Sequence, residues 1–351
     1  MERILMHKNT PVAAIRVCGR KIAAASVLNR SLLPVGTYTE YPQLQPHLLS
    51  AWNAMRSIPD TRQEIASLKD VLPLEHALKN GHMASLTDCY WMKNVGEEIS
   101  WEDINFHQNP FDCSRYRRTF DTPDLTTDGD LKKQWILHDN TSILLKFGNY
   151  GPHADGKNLL SANEVAASAI AKLMQLQAVE YFSVKLNDVD EMVCGCKSFI
   201  KNDREEFINA NQIGKGRKAS GVALYQAFSE LGFKKELNQM IVFDILIGNT
   251  DRHEKNFGII RNSNTLEVLK FAPLFDSGSC LGWNGTKEIK PFANTRKEQL
   301  ELTDSFHIEL PNLTEMEHII QAAYEDFQIP ESCFQKAKRE LKENYLFIIN
   351  N

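Results

Sequence analysis

Three polar residues in the second half of the chain have the types and the spacing of a phosphoryl-transfer site. Asp251 and Asn256 enclose four residues, and Asp276 follows further on, two residues before Gly278. A carboxylate can accept the proton of a hydroxyl group, and Asp and Asn oxygens are ligands that Mg²⁺ takes together with phosphates and water. The Asp-x-x-x-x-Asn spacing is that of the protein-kinase catalytic loop. These residues therefore indicate a magnesium-dependent transfer of a phosphoryl group.

Two charged residues upstream complete the pattern. Lys146 lies on a predicted strand over residues 142–147, and Glu164 opens a predicted helix over 165–176. A strand lysine followed by a helix glutamate is the pair with which kinases hold the α and β phosphates. Each residue also has a structural alternative: Lys146 as a strand-end lysine at a solvated sheet edge, and Glu164 as the partner of Ser161 in a capping box. The occurrence of all five residues in kinase order favours the functional interpretation.

Two residues close to Asp251 are candidates for a contact with the terminal phosphate. Kinases often place a lysine two residues after the catalytic aspartate, whereas this chain has His253 there and Lys255 two residues further on. His253 has the alternative role of an ordinary loop histidine that caps a turn. Both residues are therefore kept as candidates.

The segments expected to contact the nucleotide are less clearly marked. Residues 125–137 read as two strands and a turn in the position of the kinase phosphate loop. Gly129 is the only glycine there, so the fingerprint Gly-x-Gly-x-x-Gly is absent and an ordinary hairpin is the alternative. Two further predicted strands, 179–185 and 192–200, take the position of the kinase hinge. Backbone groups near three residues of the second strand are expected to contact adenine: Cys196, Ser198 and Phe199.

The elements that must position these residues follow an α+β pattern. Strand-like runs dominate residues 121–202, and amphipathic helical runs dominate residues 203–351. We expect a bilobal protein-kinase-like fold with a β-rich N-lobe (121–202), a helical C-lobe (203–351) and a small N-terminal α/β subdomain (1–120) that packs on the N-lobe. Its aromatic residues are predicted to be packing residues, namely Tyr90, Trp91 and Trp101. The remaining predictions are hairpins over 4–17 and 257–269, a solvated loop at 214–218, and helices over 47–58, 61–72, 222–231, 235–247, 313–327 and 331–347.

Composition narrows the function classes. The chain has 351 residues, 42% of them hydrophobic, and a net charge of −5, which argues against nucleic-acid binding through bulk electrostatics. No apolar run reaches the length of a membrane span, and the N-terminus lacks a signal-peptide pattern, so we expect a cytoplasmic protein without membrane contact. The seven cysteines lack metal-ligand spacing and are expected to be reduced thiols.

Residues 248–258 carry a resemblance to a known family. They read Gly-Asn-Thr-Asp-Arg-His-Glu-Lys-Asn-Phe-Gly, and Leu-Phe-Asp follows at 274–276. This pattern resembles the HipA-like serine/threonine kinases, many of which are toxins of bacterial toxin–antitoxin systems. The resemblance implies transfer of the γ-phosphoryl group of ATP to a protein serine or threonine, with Mg²⁺ held by Asn256 and Asp276.

The same resemblance implies regulation and partners. HipA-like kinases can autophosphorylate in the phosphate loop, where Thr126 and Thr127 are the nearest hydroxyls in this chain. Added phosphate would place negative charge beside the ATP phosphates, which suggests an inhibitory switch. The implied partners are a helix-turn-helix antitoxin and a protein substrate such as an aminoacyl-tRNA synthetase or another translation factor.

Three other functions compete with a protein kinase. A metal-dependent phosphoesterase would use Asn249, Asp251, His253 and Asp276 as ligands, but residues 1–145 offer no matching cluster of metal ligands. A pseudokinase scaffold would bind nucleotide without transfer, although all five kinase positions retain competent side chains. A phosphoinositide-type lipid kinase is the third, because HipA-like catalytic lobes resemble those of lipid kinases.

Overall fold

The computed structural model describes residues 1–18, 21–38, 45–56, 82–111, 132–147, 158–186, 191–283, 290–303 and 309–351. The chain divides into two compact units. Unit 1 comprises Met1–Leu144, Ser198–Lys218 and Ile259–Lys270, and unit 2 comprises Leu145–Lys197, Ala219–Gly258 and Phe271–Asn351. Both units are assembled from separated segments of the chain. The contiguous three-part division at residues 120 and 202 stays a prediction.

Strands and helices alternate along the described chain. The strands are β1 (Glu2–His7), β2 (Thr10–Cys18), β3 (Lys21–Val27), β4 (Tyr90–Asn94), β5 (Lys133–His138), β6 (Thr141–Lys146), β7 (Tyr181–Leu186), β8 (Glu191–Lys197), β9 (Glu205–Asn209), β10 (Gly258–Asn262) and β11 (Val268–Phe271). The helices are α1 (Pro46–Met55), α2 (Trp101–Ile104), α3 (Leu159–Leu173), α4 (Ala210–Arg217), α5 (Val222–Glu230), α6 (Lys234–Ile247), α7 (Arg296–Glu301), α8 (Leu313–Asp326) and α9 (Glu331–Ile349). None of the helices described has the length and apolar character of a membrane span.

Unit 1 is built on an antiparallel sheet with the strand order β3-β2-β1-β4. Alternating apolar residues of β1 and β2 face a core that helix α1 covers with Leu49 and Trp52. Trp91, Trp101 and Tyr90 are buried, so the prediction that these aromatics serve packing is confirmed. The β5–β6 hairpin turns at Asp139 and Asn140, which both have positive φ, the conformation that a two-residue type I′ turn requires.

Unit 2 contains the chain from Leu145 onward except for two segments that belong to unit 1, Ser198–Lys218 and Ile259–Lys270. Strands β7 and β8 pair as an antiparallel hairpin, and β8 lies between β7 and the end of β6. Helix α3 packs against β7 and α8, and α6 is surrounded by α5, α7 and α9. Every residue of α6 from Met240 to Ile247 is buried, which explains its nearly continuous apolar sequence.

Most of the predicted elements are confirmed, with shifts of a few residues at their ends. These are both hairpins, the strands over 142–147, 179–185 and 192–200, and five helices (α1, α5, α6, α8 and α9). The helix predicted over 61–72 and the first strand of 125–137 lie outside the described residues.

Two sequence predictions about helices are wrong. The helix predicted to begin after Glu164 begins at Leu159, so Glu164 lies inside α3 and is not a partner of Ser161 in a capping box. The segment 214–218 is not a solvated loop: its first four residues end helix α4, because Asn209 and Gln212 form a capping box that starts a helix there.

Candidate active site

A buried lysine lies between two carboxylates in unit 2. The Lys146 ammonium group, at the end of β6, contacts the carboxylate of Glu164 and lies 2.5 Å from Oδ1 of Asp276. The side chains of Lys146 and Glu164 are each 5% exposed, whereas that of Asp276 is 32% exposed. The structure therefore brings together three of the predicted site residues, and the carboxylate of Asp276 is the part of this group that reaches solvent.

The charge state of Lys146 follows from these contacts. Burial alone lowers the pKa of a lysine, because it disfavours the charged form. The nearby carboxylates of Asp276 and Glu164 outweigh this effect and hold the pKa of Lys146 well above its ordinary value. The ring of Tyr181 adds a further favourable contact, with its centroid 4.9 Å from Nζ. Lys146 is therefore a cation at neutral pH and suits a phosphate contact.

Helix α3 also holds the segment that carries Asp276. The Ser277 amide N–H donates to Oε2 of Glu164 at 2.9 Å, so one glutamate contacts both Lys146 and this segment. Gly278 makes the approach possible: a Cβ there would lie 2.8 Å from the Leu160 carbonyl oxygen and 3.1 Å from Cγ of Glu164. Any larger residue would push α3 away.

The predicted catalytic loop begins where helix α6 ends. Gly248 has a φ of 65°, a left-handed conformation that terminates the helix and directs the chain into the loop. The Asn249 side chain is buried and donates to Oδ1 of Asp244 at 2.9 Å. Oδ1 of Asn249 in turn accepts from the Asp251 amide N–H at 3.2 Å. The start of the loop is thus fixed on the last turns of α6.

Arg252 joins the loop to the Asp276 segment. Its guanidinium is fully buried and forms a two-pronged ion pair with Asp244, at 2.9 and 3.0 Å. Nη1 donates to the carbonyl oxygens of Asn256 and Phe275, at 3.0 and 2.6 Å, and Nη2 donates to the Ser277 hydroxyl at 3.0 Å. Asn256 and the residue before Asp276 therefore lie side by side, held by one side chain.

The other predicted residues of the loop differ in exposure. Asp251 is exposed, and Asn256 is buried with its Nδ2 donating to the Asp251 carbonyl oxygen at 3.3 Å. His253 is exposed and accepts a hydrogen bond from the Lys255 amide N–H at 3.3 Å through Nδ1, the contact of a turn-capping histidine. This contact does not test whether His253 and Lys255 bind a phosphate, so that role stays a prediction.

The predicted nucleotide-contacting residues fall in different parts of the chain. Cys196 belongs to unit 2 and is buried, and its burial raises the pKa of its thiol to about 11. Ser198 and Phe199 belong to unit 1, where the Ser198 amide donates to the Ser142 carbonyl oxygen and Phe199 packs edge-on against Phe207. The predicted phosphate-loop residues lie outside the described ranges, namely Thr126, Thr127 and Gly129.

Sequence reasoning missed Asp244, Arg252 and Tyr181. Asp244 is a lone carboxylate in an otherwise apolar stretch of α6. Because a buried charge needs a partner, the position of Asp244 indicates a buried ion pair. Nothing in the sequence indicated that Arg252 was that partner. Tyr181 is buried, and its hydroxyl accepts from the Asp276 amide N–H at 3.3 Å.

The side chains of Asn256, Asp276 and Lys146 are of the types that bind Mg²⁺ and a nucleoside triphosphate. Asp276 and Asn256 offer hard oxygen ligands, and Mg²⁺ usually takes only one or two protein groups when substrate phosphates and water complete its coordination. Lys146 carries a positive charge beside Asp276 and would contact the phosphates of such a ligand. Residues that would hold the metal and the phosphates therefore lie within one group in unit 2.

Comparisons with known proteins identify the family of the chain. Residues 127–329, more than half of the chain, match the family described as the HipA-like C-terminal domain. The serine/threonine-protein kinase CtkA of Helicobacter pylori strain J99 is 55% identical over 42 residues, which are 12% of this chain and 13% of that protein. The match thus spans much less than two thirds of that relative.

Two solved structures resemble the fold. HipA of Shewanella oneidensis MR-1, solved in complex with HipB and operator DNA, has a TM-score of 0.60 and 13% sequence identity, covering 99% of this chain and 97% of that chain. The crystal structure of the Helicobacter pylori proinflammatory kinase CtkA has a TM-score of 0.48 and 19% identity, covering 62% and 91%. The likeness to HipA confirms the predicted kinase-like fold class. Because the family match spans residues 127–329 and includes every charged residue described above, this chain belongs to the HipA-like family.

Proposed function

We propose that this chain is an ATP- and magnesium-dependent serine/threonine protein kinase of the HipA-like type. One observation carries the proposal: the ammonium group of Lys146 contacts both Glu164 and Asp276, residues from a strand, a helix and a loop that are far apart in sequence. This arrangement is the one that phosphoryl transfer needs, with a fixed cation for the phosphates beside a carboxylate for the metal.

Each residue has a role that its surroundings support. Glu164 orients Lys146, which positions the α and β phosphates, and Asn256 and Asp276 hold the metal. When bound, ATP supplies the phosphoryl group and Mg²⁺ neutralises the charge that develops on it. Asp251 is the exposed carboxylate of the loop, so it can meet the hydroxyl of a protein substrate, align it and accept its proton. His253 and Lys255 are candidates for a contact with the γ-phosphate.

The experiment is transfer of radiolabel from [γ-³²P]ATP by the 351-residue chain, with a generic protein mixture as acceptor. We expect label on protein serine or threonine, and a loss of about 10²–10⁴-fold in D251N, because the general base is removed while the fold is kept. The matched control is D139N, which makes the same change at a 93% exposed aspartate of the β5–β6 turn. It should retain the wild-type rate.

The other outcomes separate the competing functions. Inorganic phosphate released without labelled protein would indicate a phosphoesterase, and label on phosphoinositide vesicles alone would indicate a lipid kinase. Nucleotide binding without either product would indicate a pseudokinase scaffold. Equal rates for D251N and wild type would contradict the role of Asp251 in every case.

The same reactions address autophosphorylation. We propose that Thr126 and Thr127 are the acceptor hydroxyls, on the basis of their position within the predicted phosphate loop, close to Gly129. Mass spectrometry of wild type after incubation with ATP should find phosphate on one of them and should find none in D251N. Unmodified peptides in both proteins would rule out this switch.

We also propose a helix-turn-helix antitoxin as a partner, because the similar HipA structure contains HipB and operator DNA. A translation factor such as an aminoacyl-tRNA synthetase is the proposed substrate class. Phosphoproteomics after brief induction of wild type and D251N in a bacterial host tests the substrate. Affinity purification of the tagged chain from its own host tests the partner.

A further inference from the structure

A buried hydrogen-bond chain runs from helix α8 through helix α3 to the Asp276 segment. The Tyr324 hydroxyl donates to Oδ1 of Asn163 at 2.7 Å. The Nδ2 group of Asn163 donates to the carbonyl oxygens of Gly278 and Cys280, at 3.0 and 2.8 Å. Asn163 is fully buried and Tyr324 is 2% exposed, so neither side chain exchanges these partners for water.

The tyrosine anchors the Asn163 amide at its oxygen end, while the nitrogen end contacts the segment. An amide group can turn over and exchange its oxygen for its nitrogen, and only its nitrogen can donate to a carbonyl oxygen. A flipped amide would point Oδ1 at two carbonyl oxygens, so the Nδ2 group faces Gly278 and Cys280, and Oδ1 faces the Tyr324 hydroxyl. Without that hydroxyl, the amide would keep its orientation but lose its anchor on α8.

The contacts of Asn163 extend those of its neighbour in sequence. Glu164 accepts from the Ser277 amide, and Asn163 donates to the carbonyls of Gly278 and Cys280, so helix α3 holds this backbone at three points. All three points lie within four residues after Asp276, the proposed metal ligand. A displacement of this backbone would therefore move the Asp276 carboxylate.

We infer that Tyr324 and Asn163 are positioning residues for the metal: Tyr324 anchors the amide of Asn163 on α8, and this amide holds the backbone that presents the Asp276 carboxylate. This inference rests on the proposed function, because it takes Asp276 as a metal ligand. It places a determinant of metal affinity on α8, a helix that supplies none of the proposed catalytic residues. Neither residue contacts the reacting groups.

The test measures binding of Mn²⁺, which prefers the same oxygen ligands as Mg²⁺, to the 351-residue chain saturated with the non-hydrolysable analogue adenylyl imidodiphosphate. Free Mn²⁺ is quantified by electron paramagnetic resonance, so the readout does not depend on turnover. The Y324F substitution removes one hydroxyl and should raise the Kd for Mn²⁺ by up to about fivefold, the limit reached when the energy of one buried hydrogen bond is lost from the metal-bound state alone. N163D should raise it at least as much, because a carboxylate repels the two carbonyl oxygens.

The chain offers a matched control in the same unit. The buried hydroxyl of Tyr225 lies 2.6 Å from Oδ1 of Asn238 and 2.9 Å from the Leu302 carbonyl oxygen, and neither residue contacts the Asp276 segment in the described hydrogen bonds. Y225F therefore removes the same kind of hydrogen bond elsewhere. It should lower the thermal midpoint about as much as Y324F does and leave the Kd for Mn²⁺ unchanged.

The outcomes separate this inference from the proposed function. The positioning role alone would be overturned if the wild type binds Mn²⁺ and the nucleotide analogue and Y324F binds Mn²⁺ as tightly as Y225F does. A wild-type chain that binds neither would overturn the proposed function, and the inference with it. A higher Kd for Mn²⁺ in Y324F than in Y225F, at equal thermal midpoints, would support the inference even where N163D fails to fold.

Discussion

At the scale of single residues, Arg252 connects more of the candidate site than any residue predicted from the sequence. It pairs with Asp244 and donates to the backbone on both sides of the proposed metal site, at Asn256 and Phe275. A guanidinium suits this task because its planar fork offers several donors in fixed directions. The two segments with the proposed metal ligands are therefore held by one cation.

Removing this cation should destabilise unit 2. In R252M the Asp244 carboxylate, which is 1% exposed, would remain buried without its partner, and we expect the free energy of unfolding to fall by about 3–5 kcal/mol. The measurement is urea unfolding followed by circular dichroism.

The double variant D244L/R252M is the control for this explanation. It leaves no buried charge, so it should recover a large part of the lost stability, while phosphoryl transfer should stay low because the two loop backbones lack their shared donor. A double variant no more stable than R252M would show that the ion pair is not the cause.

Side-chain types and spacing were enough to find Lys146, Glu164 and Asp276, which the structure brings into contact. Their roles in transfer stay predictions. Arg252 lies in the same motif without a predicted role, because a sequence does not reveal that the side chain after Asp251 turns inward. Only the position of Asp244 inside an apolar helix pointed to a missing partner.

At the scale of elements, the site depends on how closely α3 approaches the segment after Asp276. The approach is set by the missing side chain of Gly278, beside the Leu160 carbonyl oxygen and the stem of Glu164. Backbone atoms cannot give way as the end of a flexible side chain can. The position of α3 is therefore coupled to the position of this segment.

A single methyl group tests this dependence. G278A places Cβ 2.8 Å from the Leu160 carbonyl oxygen, so α3 must shift, which we expect to cost about 1–3 kcal/mol of stability. A shift of this kind separates Glu164 from Lys146, and the proposed transfer rate should fall by about 10²-fold.

Gly216 provides the control in a thermal melt and transfer assay. In G216A the new Cβ would meet Cγ1 of Val35 at 3.6 Å, an ordinary contact, and alanine favours the helix in which Gly216 lies. We expect G216A to match the wild type in rate and to be at least as stable. Equal rates for G278A and G216A would contradict the steric explanation.

The start of α3 shows why element boundaries are harder to predict than their existence. The helix predicted over 165–176 begins six residues earlier, at Leu159, and Ser161 and Glu164 have the spacing of a capping box that would also start it too late. The structure starts the helix after Asn158 and uses the Glu164 side chain for Lys146 instead. Glu164 therefore forms a tertiary contact with Lys146 instead of a local capping box with Ser161.

At the scale of the whole molecule, unit 1 is assembled from three separated segments. Glu206 on β9 joins them: it accepts from Nε2 of His7 at 2.7 Å, from Nε of Arg261 at 2.8 Å and from the Cys89 amide at 3.0 Å. Its side chain is fully buried. No sequence pattern predicted this group, because its members are far apart in the chain and each occurs in an unremarkable local context.

This carboxylate should make the stability of unit 1 depend on pH. Burial raises the pKa of Glu206, but the contacts with His7 and Arg261 outweigh it and lower the pKa from 4.5 to about 2. Because the folded pKa is the lower one, the stabilisation is complete above about pH 4.5 and is lost as the pH falls toward 2. The loss is on the order of 3 kcal/mol.

The variant E206Q measures this contribution directly. It should be less stable than wild type by about 3 kcal/mol at pH 7, and the difference should narrow as the pH falls from 4.5 toward 2. Thermal midpoints from pH 2.5 to 7 provide the measurement. A difference that stays constant over this range would assign the stabilisation to packing rather than to the charge of Glu206.

The group around Glu206 also has a consequence during synthesis. His7 leaves the ribosome 199 residues before Glu206, and Arg261 follows later still. At bacterial and eukaryotic elongation rates, this separation corresponds to about 10–40 s. For that time the first strand exposes a histidine whose buried partner does not yet exist. The N-terminal sheet can therefore form early, but it reaches its final set of contacts only after most of the chain has been translated.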